Sequence, residues 1–220
     1  FQSRENRSWD KAVDDVFLTM NRGEVLGIIG ESGCGKSTLG RMLVRLENPT
    51  SGDVLLDGKS TAQMLRENNK AFRKRVQIVF QNPFDTFTPR DTIEKILMRP
   101  LKNYNIGASD EERLKMCRDA LESGGLHPAE EILKRYPHEL SGGQLQRISI
   151  IRSMFFKPDL IIADEPVSML DVSVRADIIN MLLDLAKKNN TAVIFISHDI
   201  ALTRYISDHV AVMYLGRVVE

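Results

Sequence analysis

Short apolar runs rich in Val and Ile recur along the chain, at Val16 to Met20, Val25 to Ile29, Val76 to Phe80, Leu160 to Ala163, Ala192 to Ile196 and Val210 to Tyr214. Runs this short, separated by polar and turn-forming residues, predict strands. Between several of them the period lengthens to that of a helix, over Ser37 to Leu46, Gln144 to Phe156 and Val172 to Lys188. In the last of these Val174, Ile178, Met181, Leu182 and Leu185 fall on one face. Strand and helix alternation predicts an α/β fold with a mainly parallel sheet. Leu55-Leu56 before Asp57-Gly58 reads as part of a hairpin, so an antiparallel β element is expected beside the main sheet. The stretch from 91 to 139 differs. Its helical patterns at Thr92 to Met98, Asp110 to Ser123 and Ala129 to Arg135 are punctuated by Pro100, Gly124-Gly125, Pro128 and Pro137 and contain no convincing strand. It reads as an inserted helical subdomain, which divides the chain into a first core part (1–90), the insertion (91–139) and a second core part (140–220).

Composition narrows the classes. With 220 residues, 42% of them hydrophobic, the chain can bury a substantial core. Thirty basic and thirty acidic side chains cancel, so no global positive field draws it to nucleic acid, and no nucleic-acid partner is expected. The two cysteines, Cys34 and Cys117, offer neither a disulfide framework nor metal spacing, which suits a reducing compartment such as the cytosol. No apolar run is long enough to span a bilayer, and the polar start Phe1-Gln2-Ser3-Arg4-Glu5-Asn6-Arg7-Ser8 lacks the apolar region of a signal peptide. Any membrane association is expected to go through a partner.

The strongest chemical signal is Gly30-Glu31-Ser32-Gly33-Cys34-Gly35-Lys36-Ser37-Thr38, which has the spacing G-x-x-x-x-G-K-[ST] between an apolar strand and a helix. Glycines let successive N–H groups turn inward toward phosphate oxygens, and the helix start presents its positive dipole end to the same anion. Lys36 adds a full charge suited to β/γ-phosphates, and the Ser37 hydroxyl is placed to ligate magnesium. A second signal is Leu160-Ile161-Ile162-Ala163-Asp164-Glu165-Pro166, an apolar strand ending in adjacent carboxylates at the sheet edge where ligands of α/β proteins bind. Asp164 can hold magnesium, while Glu165 can orient a water or accept its proton. Adjacent acids at a strand end can also be solvated or cap a turn. In Leu140-Ser141-Gly142-Gly143-Gln144 small residues again open a helix, forming another anion-binding end or an ordinary cap.

In this order the motifs resemble those of the nucleotide-binding subunit of an ATP-binding-cassette transporter, and the resemblance runs over nearly the whole chain. It implies a P-loop NTPase core of the ABC type, with ATP and Mg2+ as ligands and ATP hydrolysis as the activity. By resemblance, Ser141, Gly142, Gly143 and Gln144 form the signature that completes the ATP site of a partner in a head-to-tail dimer. Gln81 is the switch glutamine that contacts magnesium and water. His198, in Ser197-His198-Asp199, is the switch histidine; three consecutive residues cannot converge as a hydrolase triad. Asp171, in Ser168-Met169-Leu170-Asp171, lies in the loop that crosses the dimer interface, with Met169 where a small residue is more usual; Asp171 can also cap the helix that follows. Trp9 is a candidate to stack on adenine, although the usual ungapped position falls nearer Arg7, and it also reads as a docked hydrophobic anchor. Cys34 serves as a small residue and Cys117 as core.

Gln81-Asn82-Pro83-Phe84, Thr88-Pro89-Arg90 and Pro166 to Ser173 look like the oligopeptide and dipeptide importer branch, to which nickel importers also belong. That resemblance implies transmembrane permease subunits as partners, a second ATPase subunit as homo- or heterodimer, indirectly an external solute-binding protein, and a place at the cytoplasmic face of the membrane. Branch members usually continue beyond the position of Glu220, so the chain reads as a truncated piece or a short member. A cassette ATPase of a soluble complex, such as one for phosphonate degradation, is the alternative.

Overall fold

The computed structural model describes residues 11–220, and it divides into two compact units. The first comprises the residues up to Ile78, Asp159–Glu165 and Asn190–Glu220; the second comprises Val79–Pro158 and Pro166–Asn189. The chain runs β1 (Val25–Gly30), α1 (Lys36–Leu43), a hairpin of β2 (Leu55–Leu56) and β3 (Lys59–Ser60), α2 (Thr61–Glu67), α3 (Asn69–Arg75) and β4 (Val76–Val79). It continues through α4 (Ile93–Asn103), α5 (Asp110–Ser123), α6 (Ala129–Lys134) and α7 (Gly142–Met154). β5 (Leu160–Asp164), α8 (Val172–Asn189), β6 (Ala192–Ile196), α9 (Ile200–Ile206), β7 (His209–Tyr214) and β8 (Arg217–Val218) complete it.

The main sheet has the order β4-β5-β6-β1-β7-β8. β5 with β6, β6 with β1 and β1 with β7 are parallel, and β8 closes one edge antiparallel to β7. All five residues of β6 are buried, as are four of the five in β5, which is why these strands read as continuous apolar runs rather than alternating ones. The first unit's core gathers Leu26, Ile28, Ile162, Ile194 and Ile196 from the strands with Leu39 of α1 and Phe72 of α3. α1 lies close on the sheet because Gly40 has no side chain: a Cβ there would stand 2.9 Å from Ile196 Cδ1. The second unit has its own core, in which Ile93, Leu97 and Leu101 of α4 meet Cys117 and Leu121 of α5, Ile132 of α6 and Leu145 and Ile148 of α7.

The expected strand at Val16 to Met20 does not form. Phe17 is 84% exposed and Leu18 and Thr19 are exposed too, while Val16 and Met20 pack only partly buried against the core, so the stretch gains too little cover to be held as a strand. Pro100, read as punctuation after the helical pattern at Thr92 to Met98, lies inside α4. The lost N–H costs about 3 kcal/mol, but burying Ile93, Ile96, Leu97 and Leu101 returns about 1.5–3 kcal/mol each, and burial wins. α2, α3 and α9 were not expected; each opens on a side-chain cap, from Ser60, Asn68 and Asp199 respectively.

Candidate functional site

In the first unit the strand registers bring three loops to one level. Ile196 pairs with Asp164 on one side and with Ile28 on the other, so β1, β5 and β6 end together at the carboxyl edge of the sheet. From β1 the chain turns through Gly30, Gly33 and Gly35, all with positive φ (155°, 80° and 107°). Gly35 is the N-cap of α1 and no side chain caps this helix, so the first N–H groups of α1 are left to an external acceptor. Glu31 and Ser32 are exposed on the loop and Cys34 is buried beneath it. The Lys36 Nζ donates to the carbonyls of Gly30 and Glu31, both at 2.8 Å, and lies 3.8 Å from Cys34 Sγ. The ammonium therefore sits across its own loop, buried and held by carbonyl dipoles. Thr38 follows in the first turn of α1, half-buried.

Beside this loop the Ser37 hydroxyl donates to Asp164 Oδ1 at 2.9 Å. Burial pushes the Asp164 carboxyl above its ordinary range, the Ser37 hydrogen bond opposes that shift, and the charge of Glu165 adds to it. A buried carboxylate with a hydroxyl beside it is a hard oxygen pair that favours a cation. Among the described residues no group of three His, Cys, Asp or Glu could hold a metal alone. The pair thus fits magnesium, which takes few protein ligands and completes its shell with water and phosphate oxygens.

Glu165 has φ 46°, in the left-handed region that a side-chain-bearing residue adopts at a cost, and its N–H is tied to the Ile196 carbonyl at 2.9 Å. That conformation turns the chain sharply after the strand. The Glu165 carboxylate, partly exposed, lies 3.4 Å from the exposed His198 Nδ1. The loop after β6 is fixed by Ser197, whose hydroxyl accepts from the Asp199 N–H at 3.0 Å, and by Asp199, which caps α9. Lys36, Ser37, Asp164, Glu165 and His198 therefore all belong to the sheet's carboxyl edge.

The second unit carries the remaining sequence candidates. Gln81 follows β4 and its Nε2 donates to Ser168 Oγ at 3.0 Å. The loop bearing Ser168, the exposed Met169 and Asp171 is held from α8 by Arg175, which donates to the carbonyls of Leu170 (2.9 Å) and Ser168 (3.4 Å). No pattern marks Arg175 in the sequence, where it is one more charged residue on a helix. Ser141 caps α7 in a reciprocal box: its Oγ accepts from the Gln144 N–H at 3.2 Å, and the Ser141 N–H donates to Gln144 Oε1 at 3.0 Å. Gly142 and Gly143 lie against Leu170 and Val174. Cys117 is core, its thiol pushed up to about 12 by burial and the charge of Glu94. Trp9 lies outside the described residues.

Comparison with known proteins agrees with these motifs. The family model described as "ABC transporter" matches residues 13–168. The chain is 49% identical over 210 residues to a probable peptide ABC transporter ATP-binding protein of Sinorhizobium fredii, covering 96% of this chain and 59% of that protein. It is 47% identical over 211 residues to the oligopeptide transport ATP-binding protein AppF of Bacillus subtilis, covering 96% and 63%. It thus spans about three fifths of the length of these relatives. Among solved structures it resembles a dimeric ATP-binding cassette in a post-hydrolysis state bound to ADP and Pi, with TM-score 0.83 and 32% identity over 95% of this chain and 89% of that one. CbiO1 of Clostridium perfringens, part of an ABC transporter complex, gives TM-score 0.82 and 29% identity over 95% and 80%. No helix among the described residues is long and apolar enough to cross a membrane. With the glycine loop, the strand-end carboxylates and the signature helix in one chain of this fold, the protein belongs to the ABC transporter family.

Proposed function

We propose that this chain is the ATP-binding and ATP-hydrolysing part of a peptide importer, working as a dimer of cassettes on transmembrane permeases at the cytoplasmic face of the membrane. The observation that carries this reading is the set of Lys36, Ser37, Asp164, Glu165 and His198 at one sheet edge, with the Ser37–Asp164 hydrogen bond at 2.9 Å and the Glu165–His198 contact at 3.4 Å. The peptide class rests on the names of the relatives, and the dimer rests on the solved cassette.

In this reading the uncapped N–H groups of α1 and the Lys36 ammonium hold the phosphates of ATP. Lys36 exchanges the Gly30 and Glu31 carbonyls for phosphate oxygens, which replaces dipoles with full charges. Ser37 and Asp164 hold magnesium, with Gln81 as a further ligand. Magnesium supplies charge neutralisation at the phosphate oxygens. Glu165 orients the attacking water and accepts its proton, helped by a backbone turn already fixed before substrate arrives. His198 donates a hydrogen bond toward the γ-phosphate and restrains the Glu165 carboxylate from the other side. Ser141 to Gln144 face the nucleotide of the partner subunit, with Asp171 in the same interface. The helical subdomain at 91–139 and Gln81 pass closure and reopening to the permeases, and an external solute-binding protein delivers the peptide.

Glu165→Gln tests the chemistry. It keeps the shape and removes the base, so ATP affinity is retained while turnover falls about a thousandfold, within the range general-base catalysis supplies. Parent-like hydrolysis by this variant sinks the assignment. Purification of the full-length protein from detergent-solubilised cells tests the partners: two multi-span permeases should come with it, and recovery with soluble enzymes alone would overturn the transport reading.

A further inference from the structure

Gln146 and Arg152 are among the polar side chains of α7 that the proposed chemistry does not use. Gln146 is fully buried; its Nε2 donates to the carbonyl of Phe80 at 3.3 Å, and its Oε1 has no hydrogen-bond partner among the described residues. An unpaired amide oxygen in an apolar interior is unfavourable, and a Leu or Met would fill the same space without it. The Nε2 bond goes to the residue just before Gln81. Further along the same helix Arg152 donates to the carbonyl of Thr86 at 3.4 Å and lays its guanidinium over the ring of Phe87, 5.1 Å from the centroid. Phe87 is itself buried, and burial lowers the Arg152 pKa. This partly buried cation rests on a carbonyl and an aromatic face.

Between these two anchors the segment is folded on itself. Asn82 Oδ1 accepts from the Phe84 N–H at 3.1 Å, and the Thr86 hydroxyl donates to the Pro83 carbonyl at 2.8 Å, closing a 3-10 turn over Pro83–Thr86. The strap has little slack: it is short, internally hydrogen-bonded and tied at both ends to one rigid helix. The same helix opens at Ser141.

We propose that Gln146 and Arg152 are positioning residues that clamp segment 80–87 to α7, so that the Ser141 end of the helix and Gln81 are carried as one strut. Displacement of the helix start then reaches Gln81 undiminished instead of being absorbed by a loop. The inference deepens the proposed function, because it rests on the reading that Gln81 takes part in turnover.

The test uses the full-length protein and two independent readouts. By amide hydrogen exchange, Gln146→Leu should exchange about tenfold faster across residues 80–87 while the Gly30–Lys36 loop is unchanged. Ser153→Ala, which removes the buried bond to the Ile150 carbonyl on the same helix, should leave the strap as it is. In kinetics, Gln146→Leu should lower kcat about tenfold with KM for ATP unchanged, and should lower it no further in a Gln81→Ala background. Should Gln146→Leu fail to fold, Arg152→Lys replaces it, keeping the charge and losing the flat contact with Phe87. Unchanged exchange at 80–87, or additive losses in the double variant, overturns the clamp. An inactive parent would instead remove the ATPase reading, and the exchange experiment would still decide the clamp.

Discussion

The two glycine-rich helix starts of this chain solve opposite problems. At α1 the N-cap is Gly35, left-handed at φ 107°, with no side-chain cap. At α7 the N-cap is Ser141 in extended backbone, and the helix satisfies its own end through the box with Gln144. The glycines differ accordingly. In the first loop they supply positive φ, and a Cβ on Gly35 would be driven into the Ala12 carbonyl. In the second they supply thinness, since Cβ atoms on Gly142 and Gly143 would only crowd Leu170 Cδ2 at 3.3 Å and Val174 Cγ1 at 3.1 Å. One start leaves its N–H groups open to an anion. The other is a self-capped end, which in the proposed dimer would meet a ligand held by the partner subunit.

The largest effect that would break this contrast is at Gly35. Gly35→Ala imposes a backbone cost of about 1–3 kcal/mol besides the collision, so ATP affinity should fall about a hundredfold, read by calorimetric titration of the folded variant. Gly143→Ala should do almost nothing to that titration. Ser141→Ala comes next: loss of the cap should lower stability by about 1 kcal/mol in urea unfolding, with ATP affinity of the single subunit unchanged. A fall in that affinity would mean that the second start is an anion site in its own right.

The smallest effect concerns Asp164. Its folded-state carboxyl titrates above the ordinary value of 3.8, so the folded, nucleotide-free chain binds this proton more tightly than the unfolded chain. Stability contributed at low pH is therefore lost as pH rises from 3.8 through the raised value, and is flat above it. Asp164→Asn should remove that slope from the urea midpoints, and an unaltered slope would place its origin elsewhere.

Much of this was legible in the sequence because buried parallel strands and a glycine phosphate loop write themselves as local patterns. β1, β4, β5, β6 and β7, the hairpin turn at Asp57-Gly58 and the long amphipathic α8 all lie where periodicity puts them. α2 and α3 were missed because their fifteen-residue stretch is mostly polar, six of the residues being charged, and the buried Phe72 alone does not make a period. Val16 to Met20 misled for the converse reason: Phe17, Leu18 and Thr19 have strand-forming side chains but are left in water. At the site, the residue types were readable but their supports were not. Arg175 gripping the Ser168 loop and the left-handed turn at Glu165 come from tertiary packing, which a linear pattern does not encode.

The pairing of Ile196 with both Ile28 and Asp164 has a consequence for how this gene can change. Side chains alternate across a strand, so deleting or inserting one codon inside β1, β5 or β6 would invert every position beyond it and move one lip of the cleft against the others by a residue's length. Substitutions along these strands need only preserve bulk. Length variation among descendants should therefore collect in the outer connections and be purged from the three strands.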